Sequence, residues 1–204
     1  MLLLVAGPRQ RLVIDYHYSC AILAPQERAR NAVIDAAQHA PKSNAAALAD
    51  FAVPSPGLAF MFRVKAEVEA PLEIGNTPRG MRRMIPILGG TAEGPRFSGQ
   101  VIPGGIDYQL IVDPGMAEIH ARYALEDAHG ARIYVENTGL RRGPPDLIDK
   151  LRRGESVDPQ QIYFRTAPRI ETAAEAYLWM TRSLFVCSGA RFPNHVLIDF
   201  YELT

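Results

Sequence analysis

Leu58-Ala59-Phe60-Met61-Phe62-Arg63-Val64-Lys65-Ala66-Glu67-Val68 reads as a strand with one buried face. Leu58, Phe60, Phe62, Val64, Ala66 and Val68 alternate with Ala59, Met61, Arg63, Lys65 and Glu67, which is the period of two that places successive side chains on opposite sides of a sheet. Downstream, runs rich in Val, Ile, Tyr and Phe recur between clusters of Gly, Pro and Asp, so further strands are expected over 83–88, 96–102, 107–112, 117–125, 131–137, 161–166, 177–186 and 195–203. So many strands at regular spacing favour an all-β, antiparallel barrel or sandwich over alternating βαβ units. One interruption is helical. Pro144-Pro145 leads into Asp146-Leu147-Ile148-Asp149-Lys150-Leu151-Arg152-Arg153 and a terminating Gly154, the pattern of one short surface helix.

Composition changes at Pro54-Ser55-Pro56-Gly57, and the reading divides the chain there into an extension, 1–57, and a barrel domain, 58–204. The alanine-rich stretch from Pro25 to Ala52 has helical spacing at Ala32, Val33, Ala36 and Ala37, broken at Pro41-Lys42-Ser43-Asn44, so the extension is expected to be partly helical.

The 204 residues suit one full core, and 22 basic residues balance 22 acidic ones. With no net charge and no long run of like charges, nucleic acid is not expected as a partner. The apolar opening Met1–Ala6 stops at Gly7-Pro8, and nothing approaches the roughly 18 apolar residues of a membrane span, so the expectation is a cytoplasmic protein without a membrane partner. Cys20 and Cys187 lie far apart, the five histidines form no paired motif, and no G-x-G-x-x-G or phosphate-binding glycine loop is present. Neither a metal nor a cofactor is expected. Cys187 is read as a small apolar packing residue.

Arg82-Arg83-Met84-Ile85-Pro86-Ile87, Gly89-Gly90, Gly94-Pro95, Gly99 and Pro103-Gly104-Gly105-Ile106-Asp107-Tyr108-Gln109 together resemble a family labelled domain of unknown function 3237. Ala121-Arg122-Tyr123, Tyr163-Phe164-Arg165-Thr166-Ala167-Pro168, Glu171-Thr172 and Tyr177-Leu178-Trp179 continue the resemblance in order, from about Leu58 to the C-terminus. It implies an antiparallel barrel of calycin or lipocalin shape, and a homodimer as a plausible assembly. His120 departs from it, since an acidic residue is expected before Ala-Arg-Tyr.

The hairpin at Asp113-Pro114-Gly115-Met116 carries the main candidate site. A symmetric turn there sets Val112 opposite Ala117, Gln109 opposite His120 and Asp107 opposite Arg122, with all four polar residues on one face. Asp107, Arg122 and His120 are then candidate catalytic groups, with Gln109 holding the substrate. A solvated outer face is the competing interpretation, and it fits the same pattern. Arg165, Glu171, Tyr177 and Trp179 form a second group suited to binding at a pocket mouth; alternatively Arg165 and Glu171 pair as ions and Trp179 packs in the core. Arg82 and Arg83 read as a solvated loop. The expected function is acid–base catalysis of the lyase, isomerase or cyclase kind on a small, partly apolar organic molecule in the lumen. A non-catalytic barrel that binds a small molecule is the alternative, and an interaction module is a third class.

Overall fold

The computed structural model describes residues 53–204, so the readings made on the first 52 residues lie outside the described residues. Nine strands follow one another: β1 (Leu58–Val68), β2 (Leu72–Thr77), β3 (Gly80–Glu93), β4 (Gly99–Asp113), β5 (Met116–Asp127), β6 (Arg132–Arg142), β7 (Tyr163–Thr172), β8 (Phe185–Arg191) and β9 (His195–Leu203). A helix, α1 (Pro145–Arg152), joins β6 to the second half, and two 3₁₀ segments cover Pro159–Gln161 and Glu175–Arg182.

All pairings are antiparallel, in the order β1-β9-β8-β7-β6-β5-β4-β3-β2, and β1 also pairs with β3. That last pairing closes an eight-stranded barrel, leaving β2 as a flap on β3. Closure removes the open sheet edges that would otherwise invite pairing with other chains. Glycine makes the seam possible. Gly90 has φ of +140°, and a Cβ there would collide with the backbone of Lys65 on β1. The start and end of the domain are tied by Gly57 and Thr204, whose backbone N–H groups donate to each other's carbonyls at 2.8 and 3.1 Å.

The alternation read from β1 holds from Phe62 onward, pointing Phe62, Val64, Ala66 and Val68 inward, where Phe62 stacks on Phe200 at 4.6 Å between ring centres. Before it, a bulge between Phe60 and Phe62 inverts the expected faces, so Leu58 and Phe60 are exposed and Met61 is fully buried. Leu125, Ile133 and Val135 are likewise fully enclosed, and each such side chain contributes roughly 1.5–3 kcal/mol by leaving water. Helix α1 begins on Pro145 with Asp146 in its first turn and Lys150 and Arg152 in its last, charges that complement the helix dipole. Its buried residues, Ile148 and Leu151, pack with Ala117, Ile119, Ile162 and Phe164 at one end of the barrel.

The segment 177–186 is not the expected strand. It is a 3₁₀ segment, Glu175–Arg182, followed by β8 from Phe185. The Thr172 hydroxyl accepts from the Ala174 N–H at 3.0 Å and turns the chain out of β7. With three residues per turn, Tyr177 and Met180 then share a side, and Met180 is buried. This segment covers the other end of the barrel, because the Tyr177 hydroxyl donates to Asp127 at the far end of β5 from Ala117 (2.9 Å).

Candidate functional site

The turn at Pro114-Gly115 forms where the sequence places it, with Asp113 paired to Met116, but the register beyond it is shifted by one residue. The Gly115 N–H donates to Asp113 Oδ1 at 2.7 Å, and a bulge between Ile111 and Asp113 leaves Ile111 opposite Ala117. Asp107 consequently faces Ala121, and Arg122 faces Ile106. A slip of one residue moves a strand's side chains to the other face. The expected convergence of Asp107, Gln109, His120 and Arg122 is therefore corrected: Asp107 and Gln109 line the lumen together with Ala121 and Tyr123, whereas His120 and Arg122 lie on the outside of β5.

Inside, Asp107 and Gln109 join a polar group that comes from four strands. Arg83 on β3 is 4% exposed, Gln109 on β4 is 2%, and Asn137 and Arg141 on β6 are 1% and 3%. Arg83 Nε donates to Gln109 Oε1 at 2.9 Å, and the same amide donates through Nε2 to Asp107 Oδ2. The other oxygen of Asp107 accepts the His120 backbone N–H at 3.2 Å. Arg191 at the end of β8 closes the group, donating from Nη1 to the His195 carbonyl at 3.1 Å. Around them Ala66, Val68, Ile85, Ile87, Phe164, Val196 and Ile198 form an apolar wall. The cavity is a narrow cleft of about 40 Å³.

Burial sets the electrostatics of this cleft. It raises the Asp107 carboxyl above its ordinary value of 3.8, against the opposing hydrogen bonds from Gln109 and His120 N–H and the charges of Arg141 and Arg83. Burial, helped by Arg83, pushes the Arg141 guanidinium down to about 10, which leaves it charged at neutral pH. The Tyr123 hydroxyl is pushed up by the same cause. The Asn137 amide is close enough to moderate that rise, yet neither it nor the hydroxyl reaches a hydrogen bond of normal geometry. Arg141 Nε and the Thr166 hydroxyl are also buried without a partner.

The remaining sequence candidates lie elsewhere. His120 Nε2 meets Glu136 Oε1 at 2.9 Å, and Arg122 Nη2 donates to the same oxygen at 3.3 Å, on the outer surface. Those two bonds hold the Glu136 carboxyl below its usual range. Arg165 and Glu171 occupy outward positions of β7, and Arg165 Nη1 donates to the Phe164 carbonyl at 2.9 Å, so the two are neither lumenal nor an ion pair among the described contacts. Tyr177 and Trp179 belong to the 3₁₀ cap, where Arg96 lies 4.2 Å from the centre of the Trp179 ring and Phe97 meets Tyr177 edge-on at 5.3 Å. They pack on the core instead of lining the cleft.

Arg83, Asn137, Arg141 and Arg191 were missed as site residues, and Arg83 is corrected from solvated loop to buried strand. The signal was present in the alternation. Arg83 falls in the stripe Arg83, Ile85, Ile87, and Asn137 and Arg141 fall in the stripe that starts at Ile133 and Val135, so each is a polar residue in an apolar period-two row.

The fold and the cleft define a class: a closed antiparallel barrel carrying a buried polar group in its lumen. Residues 56–203 match the family model described as a protein of unknown function, DUF3237, and the chain belongs to that family. A UPF0311 protein of Rhodopseudomonas palustris is 46% identical over 144 residues, 71% of this chain and 94% of that protein. The crystal structure of a conserved protein from the same organism has a TM-score of 0.70 at 43% identity, covering 75% of this chain and all of the other. A β-barrel-like protein from Acinetobacter baumannii is similar with a TM-score of 0.66 at 33% identity, over 76% of this chain and 99% of its own. An enzyme from Penicillium herquei shares the fold at 18% identity, with a TM-score of 0.56 over 76% of this chain and 99% of its own.

Proposed function

We propose that the lumenal cleft is the active site of an acid–base enzyme of the lyase, isomerase or cyclase kind, acting on a small, partly apolar organic molecule. One observation carries this reading: Asp107 presents a carboxyl inside an apolar cleft, its pKa raised by burial, with its orientation fixed by Gln109 and the His120 N–H. A base of raised pKa takes a proton more readily at neutral pH than a solvated carboxylate does. Asp107 removes a proton from carbon or oxygen of the bound molecule, and the electron pair left behind is held as an oxyanion by the Arg141 guanidinium. Returning the proton from Asp107 to a different atom completes an isomerisation. In a ring closure the anion first adds to an electrophilic double bond of the same molecule, and Asp107 protonates the atom that receives the displaced π pair; in an elimination the β-substituent leaves with its bonding pair. Such steps require only a base, fixed donors and exclusion of water. That the same fold occurs in an enzyme, the Penicillium herquei neighbour, is compatible with this reading.

A barrel that only carries its ligand is the alternative, supported by the neutral groups Asn137, Tyr123 and Thr166 that also border the interior. Deuterium exchange separates the two. The chain is incubated in D₂O with a panel of enolisable ketones and ketoacids, and exchange at the acidic carbon is followed by proton NMR. The enzyme reading expects exchange that is abolished in Asp107→Asn and kept in His120→Ala. Exchange that survives Asp107→Asn but disappears in His120→Ala would move the chemistry out of the lumen.

A further inference from the structure

The lumen holds an imbalance of charge that its own residues do not resolve. Arg83, Arg141 and Arg191 influence one another across the cleft, and Asp107 is the carboxylate that acts on all three. Glu73 on the β2 flap offsets Arg83 alone. Among the described residues, no carboxylate other than Asp107 is recorded as supporting Arg141, whose Nε–H is buried without an acceptor. Buried charges are ordinarily paired, because an isolated one forfeits its hydration with nothing in return. A donor and a positive charge left over in a cleft with an apolar wall describe the shape of a missing anion.

We propose that the lumen takes its ligand by a carboxylate, seated against Arg141 and Arg191, with the apolar remainder of the molecule against Ile85, Ile87, Phe164 and Ile198. The inference rests on the reading of the lumen as the active site and names the class of molecule it accepts, a monocarboxylic acid with a flat or slender apolar body. Arginine forks match the two oxygens of a carboxylate. A cleft this small, about 40 Å³, favours a slender body over a bulky one. The carboxylate held by Arg141 is then also the group onto which the electron pair left by Asp107 is delocalised, so the reactive atom is the carbon beside it, facing Asp107 across the same cleft.

Sodium benzoate and benzamide, alike in shape and different in charge, test this by titration calorimetry on the full chain at constant ionic strength. Benzoate is expected to bind about tenfold or more tightly than benzamide. Arg141→Gln is expected to weaken benzoate far more than benzamide and so remove that preference, and Arg191→Gln, at a partly exposed position, serves the same purpose if Arg141→Gln does not fold. In the parent chain, benzoate should shift the methyl signals of Ala121 and Ile198, which line the cleft. Absence of benzoate binding, equal binding of the two probes, or shifts confined to surface methyls would overturn the proposal. Asp107→Asn separates the two readings. Among the described residues it removes the one carboxylate that lines the cleft, so benzoate should bind at least as well, whereas deuterium exchange should be lost. A benzoate preference without Asp107-dependent exchange leaves the anion site standing and contradicts the catalytic role; Asp107-dependent exchange without a benzoate preference does the reverse.

Discussion

Arg83 and Gln109, on neighbouring strands of the barrel, are joined by a 2.9 Å hydrogen bond from Nε to Oε1, and the other end of the same amide donates to Asp107. Gln109 is thus an orienting bridge between the buried Arg83 cation and the half-buried Asp107 carboxyl. It satisfies one group of each sign with a single side chain that is itself 2% exposed.

Replacing that bridge by leucine keeps the volume and removes both bonds. Gln109→Leu leaves Arg83 without its acceptor and Asp107 without its amide donor, and each unsatisfied buried group costs about 1–3 kcal/mol. Urea unfolding should show a loss in that range or above it. An unchanged midpoint would mean that water reaches both groups and that the cleft is not enclosed.

On the outer face the opposite result is expected. Arg122 and His120 share Glu136 where solvent screens them, so Arg122→Leu should leave the unfolding midpoint near that of the parent. A large loss would require Arg122 to face the interior, contrary to its pairing with Ile106.

The pH dependence of stability follows from the direction of the Asp107 shift. Its carboxyl is raised in the folded chain relative to 3.8, so the folded state holds the proton more tightly than the unfolded one. Over the window from 3.8 up to the raised value, this group makes stability fall as pH rises. Arg83, Arg141 and Arg191, which face Asp107, stay charged throughout that window, and Tyr123 stays neutral. The stability of Asp107→Asn relative to the parent should therefore increase with pH across the window and then level off. A relative stability that decreases with pH would show the carboxylate to be the favoured form in the fold.

Cys187 is 1% exposed, and burial pushes its thiol up. Thiol-directed reagents should modify Cys187 only on unfolding, at a rate that tracks unfolding when denaturant is added. Labelling of Cys187 in the native chain, read by peptide mass mapping, would show that the barrel opens there.

The two kinds of information in the sequence were not equally local. Period-two alternation is written into each strand, and it placed β1, β9 and the apolar stripe of β5 without reference to partners. The register of β4 against β5 was not legible, because the bulge at Ile111–Asp113 depends on how Asp113 accepts the Gly115 N–H, and a symmetric turn was the simpler inference. Likewise Tyr177 and Trp179, two residues apart, fit a strand as well as a 3₁₀ turn until Thr172 is seen capturing the Ala174 N–H. The arginines of the lumen were readable in principle. Arg83 and Arg141 stand in apolar rows, but a charged side chain in such a row is usually taken as a row boundary, and only the closed barrel shows that it is part of the interior.

The most direct test of the central claim is the titration of Asp107 itself, followed by carbon-13 NMR of its carboxyl in the full chain, with Asp107→Asn to assign the signal. A buried general base in the lumen predicts a midpoint clearly above 3.8, moving further upward in Arg141→Gln, where a favourable charge is removed. A midpoint at or below 3.8, unaffected by Arg141→Gln, would place the carboxyl in solvent or in a dominant ion pair and would contradict Asp107 as the base.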